Sequence, residues 1–373
     1  MKGVKEMKEK VITQLGEIFE RVNYSDDEKQ KLQEIIKRHP MRIPEYYYDL
    51  IDFDNDQDPI RKLAIPSVLE ASLFGEEDTS GEASNTKMLG LQHKYKQTAL
   101  VLCTNNCFMY CRHCFRKRMV GYTQTEILER KDQAIEYIRN HKEVNNVLIT
   151  GGDAFTMSND LIEGYLKELC GMDHLDFIRF GTRSIVVKPD RIYDDLDLLR
   201  ILNIYTKKKE IIIVTHFNHE LELTEEAKKA IRALKKQGLI IRNQTVLLNG
   251  VNDNENTIAR LFNGLVNAGV EPYYLFQCRP VKGGVHFQVP LSRGIDIVSK
   301  AREKLNGISK AFRFVMSHKR GKIEIFGKTD EAVIFKFHQN KYDEDANKIF
   351  MKTIDELAVW LDENLDYIKK SEI

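Results

Sequence analysis

The residues best suited to chemistry are three cysteines in the segment CFMYCRHC, at positions 107, 111 and 114. Cys107, Cys111 and Cys114 have the spacing C-x3-C-x2-C, which can hold three irons of a 4Fe–4S cube. Such clusters usually take four cysteines, so a triplet leaves one iron without a protein ligand. An open metal position is typical of catalytic sites, whereas a closed one is typical of structural sites. The segment therefore indicates a catalytic iron–sulfur enzyme.

Apolar packing or a structural zinc site would account for the triplet less well. Single cysteines often serve as apolar filler, but Arg112 and Arg116 beside the triplet do not fit a packed core. A structural zinc site needs two cysteine pairs, or one pair with spaced histidines. His113 could serve as a ligand, but the remaining cysteines are scattered at Cys103, Cys170 and Cys278. A non-catalytic zinc-binding protein stays as the alternative from a different class.

The composition agrees with an intracellular enzyme. With 373 residues the chain can form one large α/β domain with additions, or two or three smaller domains. Its 6 cysteines are too few and too unevenly placed for a disulfide scaffold. The charged N-terminal segment lacks the apolar core of a signal peptide, and no apolar run approaches the roughly 20 residues that span a bilayer. The net charge of +1 gives no field that attracts nucleic acid or membrane, so we expect a cytoplasmic protein without either partner.

Apolar, β-branched runs alternate with segments of helical period along the middle of the chain. The predicted strands are Ala99–Cys103, Asn146–Thr150, Phe177–Thr182, Ile211–His216, Leu239–Leu248 and Pro272–Cys278. The predicted helices are Gln124–His141, Leu161–Gly171, Asp190–Lys208, Thr224–Gln237 and Glu255–Ala268. This alternation is typical of an α/β fold with a parallel sheet, either a partial (βα)6 barrel or an open doubly wound sheet. In both, ligands bind at the carboxyl ends of the strands, where the cysteine triplet lies.

The sequence predicts three regions. Residues 1–97 are expected to be helical and then loop-rich, and residues 98–290 to form the partial barrel. Residues 291–373 are expected to form a small α+β extension. In that extension, short strands are predicted over Ala311–Met316 and Ile323–Phe337, and an amphipathic helix over Asp343–Leu365.

Polar residues also lie after, at the end of, or within three other predicted strands. Gly151, Gly152 and Asp153 come after the second, where glycines allow close approach of a ligand and the carboxylate could pair with an ammonium group. His216 ends the fourth strand and Gln244 lies within the fifth. Each residue alone is more typical of a satisfied core group. Together, at successive strand ends, they favour one ligand site.

Several motifs resemble the lysine 2,3-aminomutase family of radical S-adenosylmethionine enzymes. They are CTNNCFMYCRHCFRKR, TGGDA, THFNH, RNQTVLLNGVND and PYYLFQC, and the resemblance runs from about residue 40 to about residue 340. It implies a TIM-like partial (βα)6 radical SAM barrel. It also implies a 4Fe–4S cluster on the three cysteines, reduced by an electron donor such as flavodoxin or ferredoxin. The reduced cluster cleaves S-adenosylmethionine to methionine and a 5′-deoxyadenosyl radical.

The resemblance assigns roles to further residues. The amino and carboxylate groups of S-adenosylmethionine chelate the fourth iron, and the GGD-type motif supports the methionine amino group. That motif and the pocket around the cofactor are implied at Gly151, Gly152, Asp153, His113, His216 and Gln244. The family also uses pyridoxal 5′-phosphate, for which Lys322 matches the cofactor-binding lysine and Tyr95 an aromatic residue beside the ring. Arg116 matches the arginine that binds the substrate carboxylate, a task suited to a bidentate guanidinium.

The chain departs from the family at the pyridoxal phosphate site. The glycine-rich turn PGGGGK appears as HKRGK, with one glycine, and Thr98 stands where the family has an arginine near the phosphate. Lys319 and Arg320 are candidate replacements for that cation. The late cysteines that bind zinc in the lysine enzymes are missing, since the last cysteine is Cys278. The alternative function is therefore a radical S-adenosylmethionine enzyme of the same architecture that works without pyridoxal phosphate.

A second departure concerns the substrate. The two aspartates that receive the lysine ammonium group in the family fall on Arg279 and on or near Ser317. A cation in place of an anion repels a lysine side chain, because like charges in a closed site cost several kcal/mol. We therefore expect an acidic or neutral amino-acid substrate. A homo-oligomer is compatible with the sequence.

Anaerobic reconstitution tests the cluster. The protein should bind about four irons and four sulfides per chain, as a 4Fe–4S cube requires. Alanine at Cys107, Cys111 or Cys114 should abolish binding, whereas the matched control Cys103→Ala should keep it. Loss of iron in the control, with one cysteine of the triplet dispensable, would contradict the ligand assignment.

Overall fold

A computed structural model of the protein describes residues 10–122, 127 and 131–370. Two short strands lie near the N-terminus, β1 Val11–Ile12 and β2 Ile43–Pro44. The strands of the main sheet are β3 Thr86–Met88, β4 Leu91–Tyr95, β5 Thr98–Thr104, β6 Asn146–Gly151, β7 Phe177–Gly181, β8 Glu210–Thr215, β9 Ile240–Leu247, β10 Glu271–Gln277, β11 Arg313–His318, β12 Gly321–Lys328, β13 Ala332–Asn340 and β14 Ile349–Thr353. A C-terminal hairpin consists of β15 Ala358–Leu361 and β16 Tyr367–Lys369.

The helices precede, connect and follow these strands. They are α1 Leu15–Phe19, α2 Asp26–Arg38, α3 Glu45–Tyr48, α4 Pro59–Ala64, α5 Glu82–Asn85, α6 Lys131–Asn140, α7 Asn159–Cys170, α8 Ser184–Val187, α9 Asp190–Tyr193, α10 Leu196–Thr206, α11 Glu225–Lys236, α12 Glu255–Asn267 and α13 Leu291–Glu303. Across the described ranges, no helix is long and apolar enough to cross a membrane.

The order of strands in the main sheet follows the order of the chain. From β5 to β11 each strand pairs in parallel with the next, and antiparallel strands extend the sheet at both edges. A doubly wound sheet reverses its strand order at a switch point, whereas a barrel does not. The unreversed order therefore favours barrel-type winding over the doubly wound alternative.

The strands β7 and β9 are buried on one face and half-buried on the other. Ile178, Phe180 and Ile241 face the helices and belong to the main apolar core. Arg179 on β7 and Gln244 on β9 occupy the opposite, half-buried face. Because side chains alternate along a strand, the polar residues of successive strands share this second face. The fold thus places polar chemistry on the side of the sheet away from the helices.

The six predicted strands are confirmed, each within a residue or two of its observed bounds. The predicted strand Ala311–Met316 is observed as β11, and it adds a seventh parallel strand next to β10. The predicted helix Asp190–Lys208 is two helices, since Asp195 caps the start of α10 by accepting from the Leu198 amide at 2.8 Å. Of the predicted helix Gln124–His141, α6 is observed, while residues 123–126 and 128–130 lie outside the described residues.

The predicted C-terminal helix over Asp343–Leu365 is wrong. This segment contains β14, which pairs antiparallel with β13, and β15, which pairs with β16. Asn347 and Leu365 have positive φ angles of 58° and 69°, which a helix excludes. The spacing of apolar residues was compatible with a helix, but pairing with the neighbouring strands β13 and β16 decides the structure of this segment, since strand preference depends on the sheet context.

Buried ion pairs fix the loop that carries the cysteines. Arg112, fully buried inside the triplet, donates from Nε and Nη2 to Glu70 at 2.9 and 2.7 Å. Lys117 donates to the same carboxylate at 2.9 Å. The Arg112 amide donates to Leu63 O at 3.0 Å. The N-terminal region therefore holds the cysteine loop in place through direct contacts between protein groups.

The glycine pair after β6 packs directly on the cysteine loop. The Gly152 amide donates to Thr104 O at 2.6 Å, and the Asp153 amide donates to Asn106 O at 2.8 Å. A Cβ atom on Gly151 would overlap Thr104 O, and one on Gly152 would overlap Asn106 O. The glycines are required because two backbones approach this closely. The sequence predicted a close approach to a ligand, and the structure shows a close approach to the loop itself.

Substitution of Gly152 tests this packing. Gly152→Ala should destabilise the protein by about 1–3 kcal/mol, because the added methyl group must displace backbone rather than a flexible side chain. It should also reduce iron binding, since the displaced carbonyl belongs to the cysteine loop. Thermal unfolding and iron content after reconstitution measure both effects. The control Gly307→Ala has no atom within 4 Å of its new methyl group. Equal behaviour of the two variants would contradict the packing role.

Candidate active site

The three cysteines lie in the loop after β5, close enough for the charges of their thiols to interact. The Cys114 amide donates to Cys111 O at 3.1 Å, which closes the turn between these two residues. Burial, followed by the charges of Asp153 and the other two thiols, raises the pKa of Cys107 well above its ordinary value. Burial and the neighbouring Cys111 raise the pKa of Cys114 to about 11. The thiols are thus close enough to repel one another as thiolates, and iron must displace their protons on binding.

Arg183 lies against the triplet and was missed by the sequence analysis. It follows β7, and its Nη1–H donates to Cys111 Sγ at 3.1 Å. Its Nε–H donates to His216 O at 3.1 Å, and its other amino group forms an ion pair with Glu222. Tyr47 completes the group, because its hydroxyl donates to Glu222 at 2.6 Å. The ends of β7 and β8 therefore meet the cysteine loop at one buried guanidinium.

Two predicted histidines lie beside the cysteines in their neutral form. Burial, then the charge of Arg183, lowers the pKa of His113 well below its ordinary value. Burial and the charges of Arg183 and Arg116 lower the pKa of His216 to about 4. The Nδ1 atom of His113 is buried without a hydrogen-bond partner among the described residues. Such orphaned buried atoms are rare in native proteins and point to a missing partner.

Asp153 is engaged by the protein on both carboxylate oxygens. It accepts from the Thr182 hydroxyl at 2.5 Å, the Arg183 amide at 2.8 Å, the Phe155 amide at 2.9 Å and the Ser184 hydroxyl at 3.1 Å. These bonds link the glycine pair to the end of β7. Asp153 therefore positions the turn, and direct pairing with an ammonium group would have to compete with four protein donors.

The cysteine loop and its surroundings fit an iron–sulfur cluster with a bound cofactor. No group of three His, Cys, Asp or Glu side chains in the described residues is arranged to hold a single metal ion. Three cysteines nevertheless share one loop, a guanidinium donates to the sulfur of one of them, and a histidine nitrogen in that loop lacks a partner among the described residues. Gln244 occupies the half-buried face of β9, on the polar side of the sheet. No contact links it to the histidines in the described part of the chain, so its role in the cofactor pocket stays a prediction.

A second group of polar residues surrounds Lys322 on β12. Its Nζ donates to Gln339 at 2.7 Å and lies 4.7 Å from the ring centre of Tyr95 and 5.6 Å from that of Tyr274. Ser317 lies opposite Lys322 in the ladder between β11 and β12. Burial, then the charges of Arg179 and Arg279, lowers the pKa of Lys322 to about 7. The lowered pKa therefore leaves more of the amine in its neutral, nucleophilic form near neutral pH.

Lys322 and three basic residues near it bind neutral groups instead of carboxylates. Among the described residues, none of Lys94, Arg179, Arg279 and Lys322 forms an ion pair. Lys94 donates to His318 O at 2.6 Å, and Arg179 donates to the Asn146 side chain at 2.6 Å. Arg279 donates to the hydroxyls of Ser80 and Thr79, the latter at 3.4 Å. Burial has the largest effect in lowering the pKa of Lys94, and the charges of Arg279 and Lys322 lower it further.

Arg116 lies between the residues around the cysteines and the residues around Lys322. It forms an ion pair with Glu82 at 2.8 Å and contacts the Phe115 ring at 4.7 Å from the ring centre. Arg279 contacts the same ring at 4.2 Å. Phe115 follows Cys114 in the chain, so its ring joins the cysteine loop to the residues around Lys322. Glu82 also pairs with Arg118 at 2.6 Å, so Arg116 shares its carboxylate.

Several contributors to the site were not singled out from the sequence. Lys94, Phe115, Arg179 and Arg183 were overlooked, although a charged residue inside the strand FIRFG is itself a signal, because burying a charge is costly. Conversely, Lys319 pairs with Glu76 and Glu363, and Arg320 pairs with Asp345. These two candidate phosphate cations therefore already have carboxylate partners.

Comparison with known proteins agrees with this site. The family model of the radical SAM superfamily matches residues 101–262. A protein of Aquifex aeolicus, described as a candidate L-lysine 2,3-aminomutase, is 39% identical over 92% of this chain and 92% of its own. The L-lysine 2,3-aminomutase of Clostridium subterminale is 38% identical over 79% of this chain and 71% of its own. The glutamate 2,3-aminomutase of Clostridioides difficile is 34% identical over 83% of this chain and 73% of its own.

These matches confirm the resemblance inferred from the motifs. They span the cysteine loop, the strands that follow it and most of the chain, at identities of 34% to 39%. They also confirm the iron–sulfur cluster and S-adenosylmethionine as cofactors expected from the family, and the radical SAM fold class. The chain is an enzyme of the isomerase type and belongs to the lysine 2,3-aminomutase family of radical S-adenosylmethionine enzymes.

Proposed function

We propose that this enzyme is a pyridoxal phosphate-dependent amino-acid 2,3-aminomutase whose substrate is an acidic amino acid rather than lysine. A neutral amino acid is the second choice. One observation carries the proposal. Lys94, Arg179, Arg279 and Lys322 lie within the fold as cations that bind neutral groups, without a carboxylate partner among the described residues.

The physical reason is the cost of burying charge. A charged side chain within a protein normally pairs with an opposite charge or binds a ligand. Elsewhere in this chain the rule holds, since Arg112 and Lys117 share Glu70, and Arg116 and Arg118 share Glu82. Unpaired cations around one lysine are therefore suited to anionic ligands. A phosphate group and two carboxylates supply that charge.

The phosphate cations are expected on β7 and β4, since the charge of Arg179 on β7 acts on Lys322 and the ring of Tyr95 on β4 lies 4.7 Å from its Nζ. Thr98, where the family has an arginine, hydrogen-bonds to Asn146 at 3.1 Å, and Asn146 accepts from Arg179 at 2.6 Å. The Nε–H of Arg179 is buried without a partner among the described residues. Arg179 therefore offers a guanidinium beside the position where the family's arginine is lost. Lys94, adjacent to Tyr95, is a second candidate.

The remaining groups are suited to the substrate. Arg116 and Arg279 flank Phe115, and their guanidinium groups are fit for carboxylates. Arg116 would take the α-carboxylate and Arg279 the side-chain carboxylate, with Ser317 nearby on β11. Bound pyridoxal phosphate supplies the ring that carries the amino group as it moves between carbons, while the protein orients the substrate and excludes water. Lys322 holds the cofactor and can exchange a proton at Nζ, since its pKa is about 7.

The glutamate 2,3-aminomutase of Clostridioides difficile supports an acidic substrate. By its name, it acts on glutamate, and it is 34% identical to this chain. Cys107, Cys111 and Cys114 would ligate the cluster, and a flavodoxin or ferredoxin is the proposed electron donor. The alternative is a radical enzyme of the same fold that works without pyridoxal phosphate. Borohydride trapping of Lys322 separates these two functions.

Borohydride trapping tests the lysine. Incubation with pyridoxal phosphate followed by borohydride should leave a pyridoxal adduct on Lys322, detected by peptide mass spectrometry. The rate of adduct formation should rise as the pH increases through about 7, because the pKa of Lys322 is lowered to that value and the neutral amine is the reacting form. Lys322→Arg keeps the charge and should lose the adduct. If the unmodified enzyme gives no adduct on Lys322 yet still cleaves S-adenosylmethionine, the alternative function holds.

The substrate class is tested by hydrogen exchange. Glutamate or aspartate should exchange hydrogen with the 5′ carbon of S-adenosylmethionine, whereas lysine should not. Arg279→Asp should lower kcat/KM for the acidic substrate by about 100-fold or more, since each tenfold loss corresponds to about 1.36 kcal/mol of transition-state stabilisation and charge reversal at close range exceeds that. Turnover of lysine by the unmodified enzyme would contradict the substrate assignment.

Two controls accompany this variant. Arg279→Lys keeps the positive charge and should retain more activity than Arg279→Asp. Arg200→Asp reverses the charge of an exposed arginine on α10, whose partner is Asp197, and should leave kcat/KM unchanged. A similar loss in all three variants would show that the effect arises from the fold rather than from the substrate.

A further inference from the structure

We propose that Arg183 is a positioning residue that raises the reduction potential of the iron–sulfur cluster through its hydrogen bond to the sulfur of Cys111. The inference rests on the cluster, which family membership supports, and not on the proposed substrate or on pyridoxal phosphate. It assigns a role in controlling radical formation to a residue outside the cysteine motif.

The contacts of Arg183 leave its guanidinium little freedom. Nη1–H donates to Cys111 Sγ at 3.1 Å, and Nε–H donates to His216 O at 3.1 Å. Nη2–H donates to the Tyr47 hydroxyl at 3.3 Å and pairs with Glu222. All three nitrogens thus have acceptors on different elements of the fold. A planar guanidinium held at each nitrogen keeps a fixed direction toward the cysteine sulfur.

The partners of Arg183 are themselves fixed. Glu222 is fully buried and also accepts from the backbone amides of Asn218, at 2.6 Å, and His219, at 3.2 Å. Tyr47 is fully buried and donates to Glu222 at 2.6 Å. Tyr47, Arg183 and Glu222 therefore form one buried unit, which we call the arginine unit. Within the described part of the chain, its contact with Cys111 is the one that reaches a cluster ligand.

The expected effect follows from the charge on the sulfur. Reduction adds one electron to the cluster without moving a proton, and it increases the negative charge on the cysteine sulfurs. Hydrogen bonds to these sulfurs and nearby charges are known determinants of cluster potential. The N–H of Arg183 therefore stabilises the reduced cluster more than the oxidised one. Glu222 opposes this effect, because its negative charge favours the oxidised cluster.

A redox titration of the reconstituted enzyme tests the inference. The fraction of reduced cluster is followed by electron paramagnetic resonance under anaerobic conditions, with dithionite as the reductant. Arg183→Gln should lower the ratio of reduced to oxidised cluster at fixed potential by about tenfold, which is 59 mV for one electron. Glu222→Gln should change the ratio in the opposite direction. A merely structural role would not give shifts of opposite sign.

The matched control is Arg191. This largely buried arginine also donates to backbone carbonyls and pairs with a carboxylate, since it contacts Phe155 O at 3.0 Å and Asp195 at 2.5 Å. It has no contact with the cysteines in the described structure. Arg191→Gln should leave the potential unchanged, whatever it does to stability. A shift in the control as large as that of Arg183→Gln would overturn the assignment.

The remaining outcomes are also decisive. If Arg183→Gln binds a full complement of iron and its potential equals that of the unmodified enzyme, the proposal is wrong. If Arg183→Gln does not bind iron, Arg183→Lys and Glu222→Gln decide, and unchanged potentials in both would overturn it. If no variant of the arginine unit binds iron, the unit is required for the shape of the loop, and the proposal fails in favour of that structural role.

Discussion

The cysteine loop depends above all on the buried carboxylate of Glu70. Burial alone would raise the pKa of Glu70, but Arg112 and Lys117 hold it well below its ordinary value. The carboxylate is therefore ionised at neutral pH and binds two cations of the segment that carries the cysteines. Removing one partner of such a buried group leaves an uncompensated charge, which is strongly destabilising. The shape of the loop thus depends on an ion network made of protein side chains.

The basic residues of the protein fall into two sets with different tasks. Arg112, Lys117 and Arg118 each have a buried carboxylate partner and hold the cysteine loop against the N-terminal region. The cations around Lys322 have neutral partners only, among the residues that the structure describes. Burial lowers the pKa of Arg279 to about 10, although Glu82 opposes this shift. The first set stabilises the structure, and the second costs stability unless an anion binds, which is the expected signature of a ligand site.

The sequence alone was sufficient to predict those elements whose structure is determined by a local pattern of residue types. The six strands of the parallel sheet are apolar and β-branched, and they formed within a residue or two of their predicted bounds. The C-terminal helix failed, because β14 is held by its pairing with β13 rather than by local preference. The site shows the same division. The cysteine motif could be recognised in the sequence. Whether a basic side chain has an acidic partner could not be predicted, since Lys319 and its partner Glu363 are 44 residues apart.

The ring of Phe115 connects the cysteine loop to the residues that are proposed to bind the substrate. Phe115 follows Cys114 directly in the chain, and the Arg279 guanidinium lies 4.2 Å from the centre of its ring. One aromatic residue therefore separates the cysteine loop from the arginine that is proposed to bind the substrate. A radical formed at the cluster must meet the substrate within a short distance, because reacting atoms need to lie about 3–3.5 Å apart. Barrel-type winding places β5 and the strands near β10 around the same polar face of the sheet. The polar face can then hold both partners of a hydrogen transfer, while the helices on the other face carry the core.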